Sequence, residues 1–316
     1  MKEVGYIHPV LKFSIKEPAD GDHKISYSQF SMYSKCPKSW ELAYVKKLRT
    51  TSQNINTIFG TALHETLQAY LTTLYTDSVK NADRLPLEQM LMDNLKTGYK
   101  NALEKGMPHF SSPSELSEYY NDGVEILNYI KRKRSIYFST KNYELVGIEL
   151  PIYHQACNAN DAIMMLGYLD VVIRNTVTDE YTIIDIKTSN SGWNKYQKAD
   201  KLKASQLVVY KEYLAQQFGI DVEKINIEYF IVKRKLIDGA MFPQKRVQQF
   251  KPASGRPTRN KVNKEIESFI TTCFNADGTY KEREYMAIAG KGCKHCRYCE
   301  FSELEDLCPK KNRIKQ

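Results

Sequence analysis

The chain has 316 residues, of which 42% are hydrophobic and 26% are charged, with only 15 glycines and 11 prolines. This composition excludes a fibrous or disordered chain, and a chain of this length can bury a substantial core. Lysine and arginine total 46 against 37 acidic residues, so the net charge is +9, which favours a polyanionic partner such as a nucleic acid.

The compartment follows from targeting signals and cysteine usage. No signal-peptide pattern opens the sequence, and no apolar stretch is long enough to cross a membrane. We therefore expect a cytoplasmic protein without a membrane partner, or a phage-encoded protein that acts in the host cytoplasm. In such a reducing compartment the seven cysteines are not expected to form disulfides.

After an irregular arm, the first 140 residues are predicted to be largely helical. Ser26 is a typical helix cap, and Pro37 is a typical first helical residue. Leucines recur every four residues from Leu63 to Leu71, which places His64 on a helix. The first predicted helix begins after Ser26, and the second runs from Pro37 to about Lys47. A third covers residues 60–71, and a long fourth helix runs from about Glu115 to Tyr137.

The middle of the chain is predicted to be rich in strands. Three apolar, β-branched segments at residues 144–153, 162–174 and 181–188 form a meander. A polar segment, 189–202, precedes the remaining elements, which are a helix near 204–218, a strand over 225–233, a short strand near 246–250 and a helix near 258–274. This order predicts an α/β fold with a mixed sheet.

Two carboxylates and a lysine stand in the most apolar of these strands. Asp170 ends one apolar run, and Asp185-Ile186-Lys187 ends the next. A buried strand should not carry such groups unless they are paired or bind a metal. The hairpin brings Asp170 and Asp185 together, where they could hold Mg²⁺ or Mn²⁺ or form salt bridges with lysines. Lys187 points to the same face as Asp185, an arrangement that suits metal-assisted hydrolysis of a phosphodiester.

Five motifs in series resemble the RecB-like and AddB-like exonuclease branch of the PD-(D/E)XK nuclease superfamily. They are the entry motif over residues 26–37, Gly60-Thr61-Ala62-Leu63-His64, Gly167-Tyr168-Leu169-Asp170, Asp185-Ile186-Lys187, and Gln206-Leu207-Val208-Val209-Tyr210. The resemblance implies a restriction-endonuclease-like core with a central mixed sheet flanked by helices. It divides the chain into an N-terminal arm and helical region (1–140) that contributes the His64 helix, a nuclease core (141–275) and a cysteine-rich tail (276–316) that packs back on the N-terminal region.

The resemblance also assigns roles to individual residues. The metal ligands that it implies are His64, Asp170, Asp185 and the carbonyl of Ile186. Lys187 is the implied catalytic lysine, and Gln206 and Tyr210 are implied to contact DNA or support Lys187. Glu149, on the strand before the hairpin, is either a further ligand or a solvent-facing glutamate. Without the resemblance, His64 would be an ordinary residue of an apolar helix.

Four cysteines close to the end of the sequence indicate a metal cofactor: Cys293, Cys296, Cys299 and Cys308. By resemblance, Cys36 joins Cys296, Cys299 and Cys308 in holding a [4Fe-4S] cluster, with Cys293 as an alternative ligand. The spacing departs from the family pattern C-x2-C-x5-C, because eight residues separate Cys299 from Cys308. A structural Zn²⁺ bound by the four tail cysteines is the alternative.

Two surface features add to the expectation of DNA binding. The basic runs at 131–134, 233–235 and 245–246 are expected either to contact phosphates or to be solvated faces. The segment Trp193-Asn194-Lys195-Tyr196-Gln197-Lys198 is expected either to stack on a threaded strand or to form an exposed loop.

The function implied is that of a metal-dependent deoxyribonuclease, an exonuclease on single-stranded DNA or DNA ends in recombination, repair or phage DNA processing. Because the sequence contains no P-loop, unwinding would need a helicase or another recombination or replication protein as partner. The alternative is a catalytically silent or partner-activated subunit that binds DNA ends. Inactive relatives usually lose an acidic residue or the lysine, whereas His64, Asp170, Asp185 and Lys187 are all present.

Overall fold

The computed structural model describes residues 5–16, 21–49, 54–107 and 111–315. The strands are β1 (His23–Ile25), β2 (Tyr143–Cys157), β3 (Asn160–Asn175), β4 (Tyr181–Ser189), β5 (Ile225–Lys233) and β6 (Val247–Phe250). The helices are α1 (Tyr27–Lys35), α2 (Pro37–Trp40), α3 (Ile55–Thr76), α4 (Val79–Arg84), α5 (Leu87–Glu104), α6 (Pro113–Arg132), α7 (Arg134–Tyr137), α8 (Lys195–Lys198), α9 (Lys201–Phe218) and α10 (Arg256–Cys273).

The strands form one mixed sheet with the order β1-β3-β4-β5-β6, and β2 also pairs with β3. β3 and β4 are antiparallel, with Val171 opposite Ile184, whereas β4 and β5 are parallel, with Lys187 opposite Ile231. β5 and β6 are antiparallel. The predicted meander and the α/β fold with a mixed sheet flanked by helices are therefore confirmed.

Helix caps explain where several helices begin. The Oγ atom of Ser26 accepts the amide of Gln29 (3.4 Å), as the sequence predicts, and the Oδ1 atom of Asn54 accepts the amide of Thr57 (3.0 Å) at the start of α3. The second helix differs from the prediction, because it is α-helical only to Trp40 and continues as a π-helical turn over Glu41–Val45.

The π-helical turn is organised around the buried carboxylate of Glu41. Lys38 lies 2.7 Å and Lys46 3.2 Å from its oxygens. A π-helical turn brings position i+5 over position i, so Lys46, five residues later, can still reach Glu41. The two ion pairs give a physical reason for the wider turn.

The described residues fall into two compact units. The first contains the described parts of Met1–Ser14, Ser52–Pro151 and Tyr168–Ala253, and the second contains those of Ile15–Thr51, Ile152–Gly167 and Ser254–Gln316. In the first unit, Leu63, Leu67 and Leu71 on α3 are fully buried and share a core with Ile184 of β4. Each such leucine contributes about 1.5–3 kcal/mol relative to exposure. In the second unit, the fully buried Trp40 packs edge-to-face against the rings of Phe269 and Tyr285. No helix in the described part of the chain has the length and apolarity needed to span a membrane.

Candidate active site

The histidine of the Gly60-x-x-x-His64 motif lies on α3 and faces two carboxylates. Its Nε2 atom lies 2.9 Å from Oδ2 of Asp170, and its Nδ1 atom lies 3.6 Å from Oε1 of Glu149. Gly60, one turn earlier, lets the helix approach β4 closely, because a Cβ at this position would stand 3.0 Å from Oγ1 of Thr188. The close approach brings His64 within reach of the carboxylates on the strands.

Glu149 points into the site from a local distortion of β2. Its φ is +49°, in the left-handed region that a glutamate rarely adopts. The side chain is only 5% exposed, so it is not the solvent-facing glutamate that the sequence left open. Its Oε1 atom accepts a hydrogen bond of 2.8 Å from Nε2 of Gln68.

Gln68 is a site residue that the sequence reasoning missed. It lies on α3 one turn after His64 and is buried. Besides the bond to Glu149, its Nε2 atom donates to the carbonyl oxygen of Asp170 at 3.0 Å. One amide group on α3 therefore contacts residues of both β2 and β3. The four-residue spacing from His64, which places both side chains on one face of the helix, is the signal that could have identified it.

Asp185 and Lys187 lie next to each other on β4. Oδ2 of Asp185 lies 2.7 Å from Nζ of Lys187. Asp185 is 3% exposed, and within the described residues this oxygen makes no hydrogen bond of acceptable geometry. Between them, the amide of Ile186 donates to Oδ2 of Asp170 at 2.8 Å. The contact of Ile186 with the site is thus made by its amide, while the carbonyl is the group that the resemblance implies as a ligand.

The charged groups of the site have displaced pKa values. Burial opposes ionisation of Asp170, but His64, Lys187 and the amide of Ile186 outweigh it and hold the pKa of that carboxyl below its usual range. Burial raises the pKa of Asp185 to about 6, with a further contribution from Asp170, although Lys187 lowers it. For Lys187, burial acts downward, yet the two carboxylates raise its pKa above the ordinary value. Lys187 is therefore an ammonium at neutral pH, suited to charge stabilisation rather than proton abstraction.

Gln206 and Tyr210 lie on one face of α9 beside Lys187. Nε2 of Gln206 lies 3.3 Å from the Tyr210 hydroxyl. Burial raises the pKa of Tyr210 to about 12, Gln206 lowers it, and the charges of Asp185 and Lys187 act on it in opposite directions. The structure therefore brings both predicted residues to the lysine side of the site.

The donor atoms suit a hard divalent cation. One ligand atom from each of His64, Glu149 and Asp170 lies within 4.8 Å of the other two. Two carboxylate oxygens and one imidazole nitrogen fit Mg²⁺ or Mn²⁺, and the nitrogen favours Mn²⁺. Asp185 is not a member of this group, and its Oδ2 atom forms an ion pair with Lys187.

Tyr168 contributes another polar group without a hydrogen-bond partner. Its hydroxyl is buried and has no hydrogen bond within the part of the chain that the structure describes. Because side chains alternate along a strand, Tyr168 points to the same face of β3 as Asp170. In the sequence, Tyr168 stands out only as a member of the motif over residues 167–170.

Several cations of the basic runs pair with acidic side chains, and Trp193 is buried. Arg234 lies 2.7 Å from Asp122, and Lys235 lies 2.7 Å from Glu118, both on α6. In the same way, Arg246 pairs with Glu125 and Arg134 with Asp83. Trp193 is only 9% exposed and packs on the rings of Tyr229 and Phe250. These cations are neutralised by acidic side chains distant in sequence, and the tryptophan belongs to the core.

Four cysteines of the second unit lie near one another. Burial raises the pKa of the Cys296 and Cys308 thiols, and in both cases Cys36 and Cys299 raise it further. The sulfur of Cys36 accepts the amide of Ile288 at 3.3 Å. Cys293, by contrast, is exposed and has a left-handed backbone with φ +55°. All seven cysteines are free thiols.

Arg313 is the charged neighbour of these thiols. Its Nη2 atom donates to the carbonyl oxygens of Ser302 (2.6 Å) and Cys308 (2.7 Å). Its charge and side-chain hydrogen bonds lower the pKa of the Cys296 and Cys308 thiols against the effect of burial. An arginine beside several thiols favours their deprotonated form, which is the form that binds metal.

Comparison with known proteins agrees with this geometry. A family model described as the PD-(D/E)XK nuclease superfamily matches residues 24–304. No curated protein matches the chain.

Proposed function

Since the chain belongs to the PD-(D/E)XK nuclease superfamily, we propose that it is a metal-dependent deoxyribonuclease that hydrolyses phosphodiester bonds. Members of this superfamily are typically nucleases that use divalent metals, and the mixed sheet flanked by helices is consistent with their restriction-endonuclease-like fold. The observation that carries the proposal is the grouping of His64, Glu149 and Asp170 within 4.8 Å beside the Asp185–Lys187 pair.

The proposed roles follow from the contacts. His64, Glu149 and Asp170 hold the cation, with Asp185 and the carbonyl of Ile186 as further ligands. When bound, the cation supplies a Lewis acid and lowers the pKa of water.

The lysine side of the site would act on the substrate. The ammonium of Lys187 orients the attacking water by hydrogen bonding and stabilises negative charge that develops on the phosphate. Gln206 and Tyr210 support Lys187 from α9 or contact the DNA.

The finer assignment is to an exonuclease on single-stranded DNA or DNA ends, in recombination, repair or phage DNA processing. The RecB-like entry motif and the intact set of His64, Asp170, Asp185 and Lys187 support it. A helicase or another recombination or replication protein would supply unwinding. The second candidate, a silent or partner-activated subunit that binds DNA ends, has less support because none of these four residues is missing.

Digestion of 5′-labelled and 3′-labelled single-stranded DNA tests the proposal, with Mn²⁺ or with EDTA. We expect Mn²⁺-dependent products that are absent for Lys187→Ala and Asp185→Ala, while both variants still bind DNA. Circular single-stranded DNA is the control, because an exonuclease leaves it intact. Tight binding of DNA ends without cleavage in any divalent metal would favour the silent subunit instead.

We further propose that Cys36, Cys296, Cys299 and Cys308 hold a [4Fe-4S] cluster, with Cys293 outside the ligand set. The influence of Cys36 and Cys299 on the pKa values of the Cys296 and Cys308 thiols supports this choice, as does the exposure of Cys293. Such a cluster would connect residue 36 to residues 296–308 within the second unit and stabilise that unit by closing a long loop.

Metal analysis of the purified protein tests the cofactor. We expect iron and acid-labile sulfide in the wild type and in Cys293→Ser, and their loss in Cys308→Ser. Zinc without iron, lost in both variants, would establish the alternative site of four tail cysteines.

A further inference from the structure

The loop between β5 and β6 exposes three large apolar side chains. Ile237 is 74%, Met241 92% and Phe242 78% exposed, within a run in which residues 237–243 are all exposed. We call residues 237–243 the apolar loop. Soluble proteins seldom expose neighbouring large apolar side chains without an interaction to make.

The base of the apolar loop is held by one side chain. Oε1 of Gln244 accepts the amide of Ile237 (2.9 Å), and its Nε2 atom donates to the carbonyl of the same residue (2.7 Å). The side-chain amide of Gln244 thus bonds to the backbone of Ile237 as a backbone amide group on a neighbouring strand would, and it closes the loop. The apolar side chains therefore project from a closed base.

Strand register places the apolar loop beyond the C-terminal ends of β4 and β5, at the end of the sheet that bears Lys187. Lys187 on β4 lies opposite Ile231 on β5, and the two strands are parallel. Beyond the strand ends, the amide of Lys235 still donates to the carbonyl of Asn190 at 2.8 Å. At about 3.3 Å per residue, Ile237, six residues after Ile231, begins the loop up to roughly 20 Å beyond the register position of Lys187.

A second exposed aromatic side chain lies in the segment that follows β4, at the same end of the sheet. Tyr196 follows β4 on the short helix α8 and is 74% exposed, with Nζ of Lys195 at 5.1 Å from its ring centroid. The segment is tied to β6 because the amide of Trp193 donates to Oε1 of Gln248 at 2.7 Å. Lys245, next to the apolar loop, is exposed as well.

The exposed groups at this end of the sheet suit an unpaired strand of nucleic acid. Arg234, Lys235 and Arg246 pair with acidic residues of α6, whereas Lys195 and Lys245 are exposed. This end of the sheet exposes aromatic and apolar side chains together with single lysines. This is the combination by which proteins bind unpaired strands, since bases stack on aromatic groups and lysines contact phosphates.

We propose that the apolar loop, together with Tyr196, binds unpaired nucleobases of the strand whose phosphodiester reaches the candidate active site. The proposal rests on the nuclease function proposed above. Met241 and Phe242 supply the surface on which bases stack, and Lys195 and Lys245 contact the adjoining phosphates. Bases inside a duplex are already stacked, so the loop binds single strands and frayed ends.

The test is the affinity of the double variant Met241→Ala/Phe242→Ala for a fluorescent single-stranded oligonucleotide, measured by anisotropy in EDTA. We expect affinity to fall by about tenfold or more, in the range of one lost base–aromatic stack. The matched control is Val10→Ala/Val177→Ala, which removes two side chains of 72% and 71% exposure elsewhere and should leave affinity unchanged.

An abasic oligonucleotide of the same length separates stacking from charge. It keeps the phosphates and lacks the bases, so the wild type and the double variant should bind it equally. Equal affinity of the two proteins for the normal oligonucleotide would overturn the proposal. So would an equal loss on both oligonucleotides, because the loop would then act without touching bases.

The same proteins in a cleavage assay with Mn²⁺ distinguish the two proposals. If the wild type cleaves the strand and the double variant binds and cleaves it equally well, the apolar loop has no role and the nuclease function stands. If the wild type neither binds nor cleaves DNA, the nuclease function fails, and the loop proposal fails with it.

Discussion

Nε2 of His64 lies 2.9 Å from Oδ2 of Asp170, so an imidazole on α3 and a carboxylate on β3 face each other directly. The same oxygen accepts the amide of Ile186, which holds the carboxylate in one orientation. The fold thus sets the orientation of the Asp170 carboxylate through contacts with both a side chain and the backbone.

Gln68 is expected to position Glu149 and the backbone of Asp170. Gln68→Ala removes both hydrogen bonds and should lower Mn²⁺ affinity by about 10- to 100-fold, as for other residues that orient metal ligands. The unfolding free energy should fall by about 1–3 kcal/mol, because Glu149 loses a buried partner. Mn²⁺ titration calorimetry and denaturant unfolding measure the two effects, with the exposed Gln89→Ala as control. Reduced stability with unchanged Mn²⁺ affinity would show that Gln68 has only a structural role.

Tyr168→Phe is expected to leave stability unchanged or slightly raised. The hydroxyl is buried without a hydrogen bond among the described residues, so its removal takes away no interaction. Tyr119→Phe is the matched control, because the Tyr119 hydroxyl donates to Oδ1 of Asn56 at 2.7 Å, and its loss should cost about 0.5–1.5 kcal/mol. Denaturant unfolding compares them, and an equal loss in both variants would contradict the prediction.

Metal binding should weaken at low pH in a way that reports Asp185. The pKa of Asp185 is raised to about 6, so its carboxyl is neutral below that pH and ionised above it. A cation that uses this carboxylate must displace the proton, and affinity should fall about tenfold for each pH unit below 6 through this group alone.

Asp185→Asn isolates the contribution of Asp185. The variant lacks the loss of affinity due to this carboxyl and keeps any loss due to other groups of the site. Its plot of log affinity for Mn²⁺ against pH should therefore be less steep than that of the wild type, by about one between pH 5 and 6. Identical slopes would show that Asp185 does not take part in cation binding.

Arg313 is expected to favour the metal-binding form of the cysteine group. Arg313→Ala removes the charge that lowers the pKa of the Cys296 and Cys308 thiols. Bound metal should then be lost at least about twofold faster to a chelator, since thiolates rather than thiols are the ligands. Release is followed by visible absorbance or by metal analysis, with the exposed Arg297→Ala as control. The release rate of Arg313→Lys should lie between those of Arg313→Ala and Arg297→Ala, because lysine keeps the charge without the planar guanidinium group. Equal release rates for Arg313→Ala and Arg297→Ala would exclude this role.

Sequence alone was sufficient for the fold class, for the strands that carry Asp170, Asp185 and Lys187, and for the helix that carries His64. These follow from local patterns. The period of two in a strand and of about four in a helix decides which side chains share a face, and charged groups in apolar runs mark a site. The family match over residues 24–304 agrees with the superfamily that the five motifs resemble.

Only the tertiary structure decided which side chains meet at the site and which cations are neutralised. Gln68 and Glu149 are 81 residues apart in sequence, and the left-handed φ that turns Glu149 inward has no local signal in a glutamate. Arg234 finds its acidic partner 112 residues away, so a cation of a basic run that the sequence suggested for DNA contacts pairs within the protein. Contacts of this kind depend on how distant segments pack. The position of a side chain along its own strand or helix carries no information about its partner on another element.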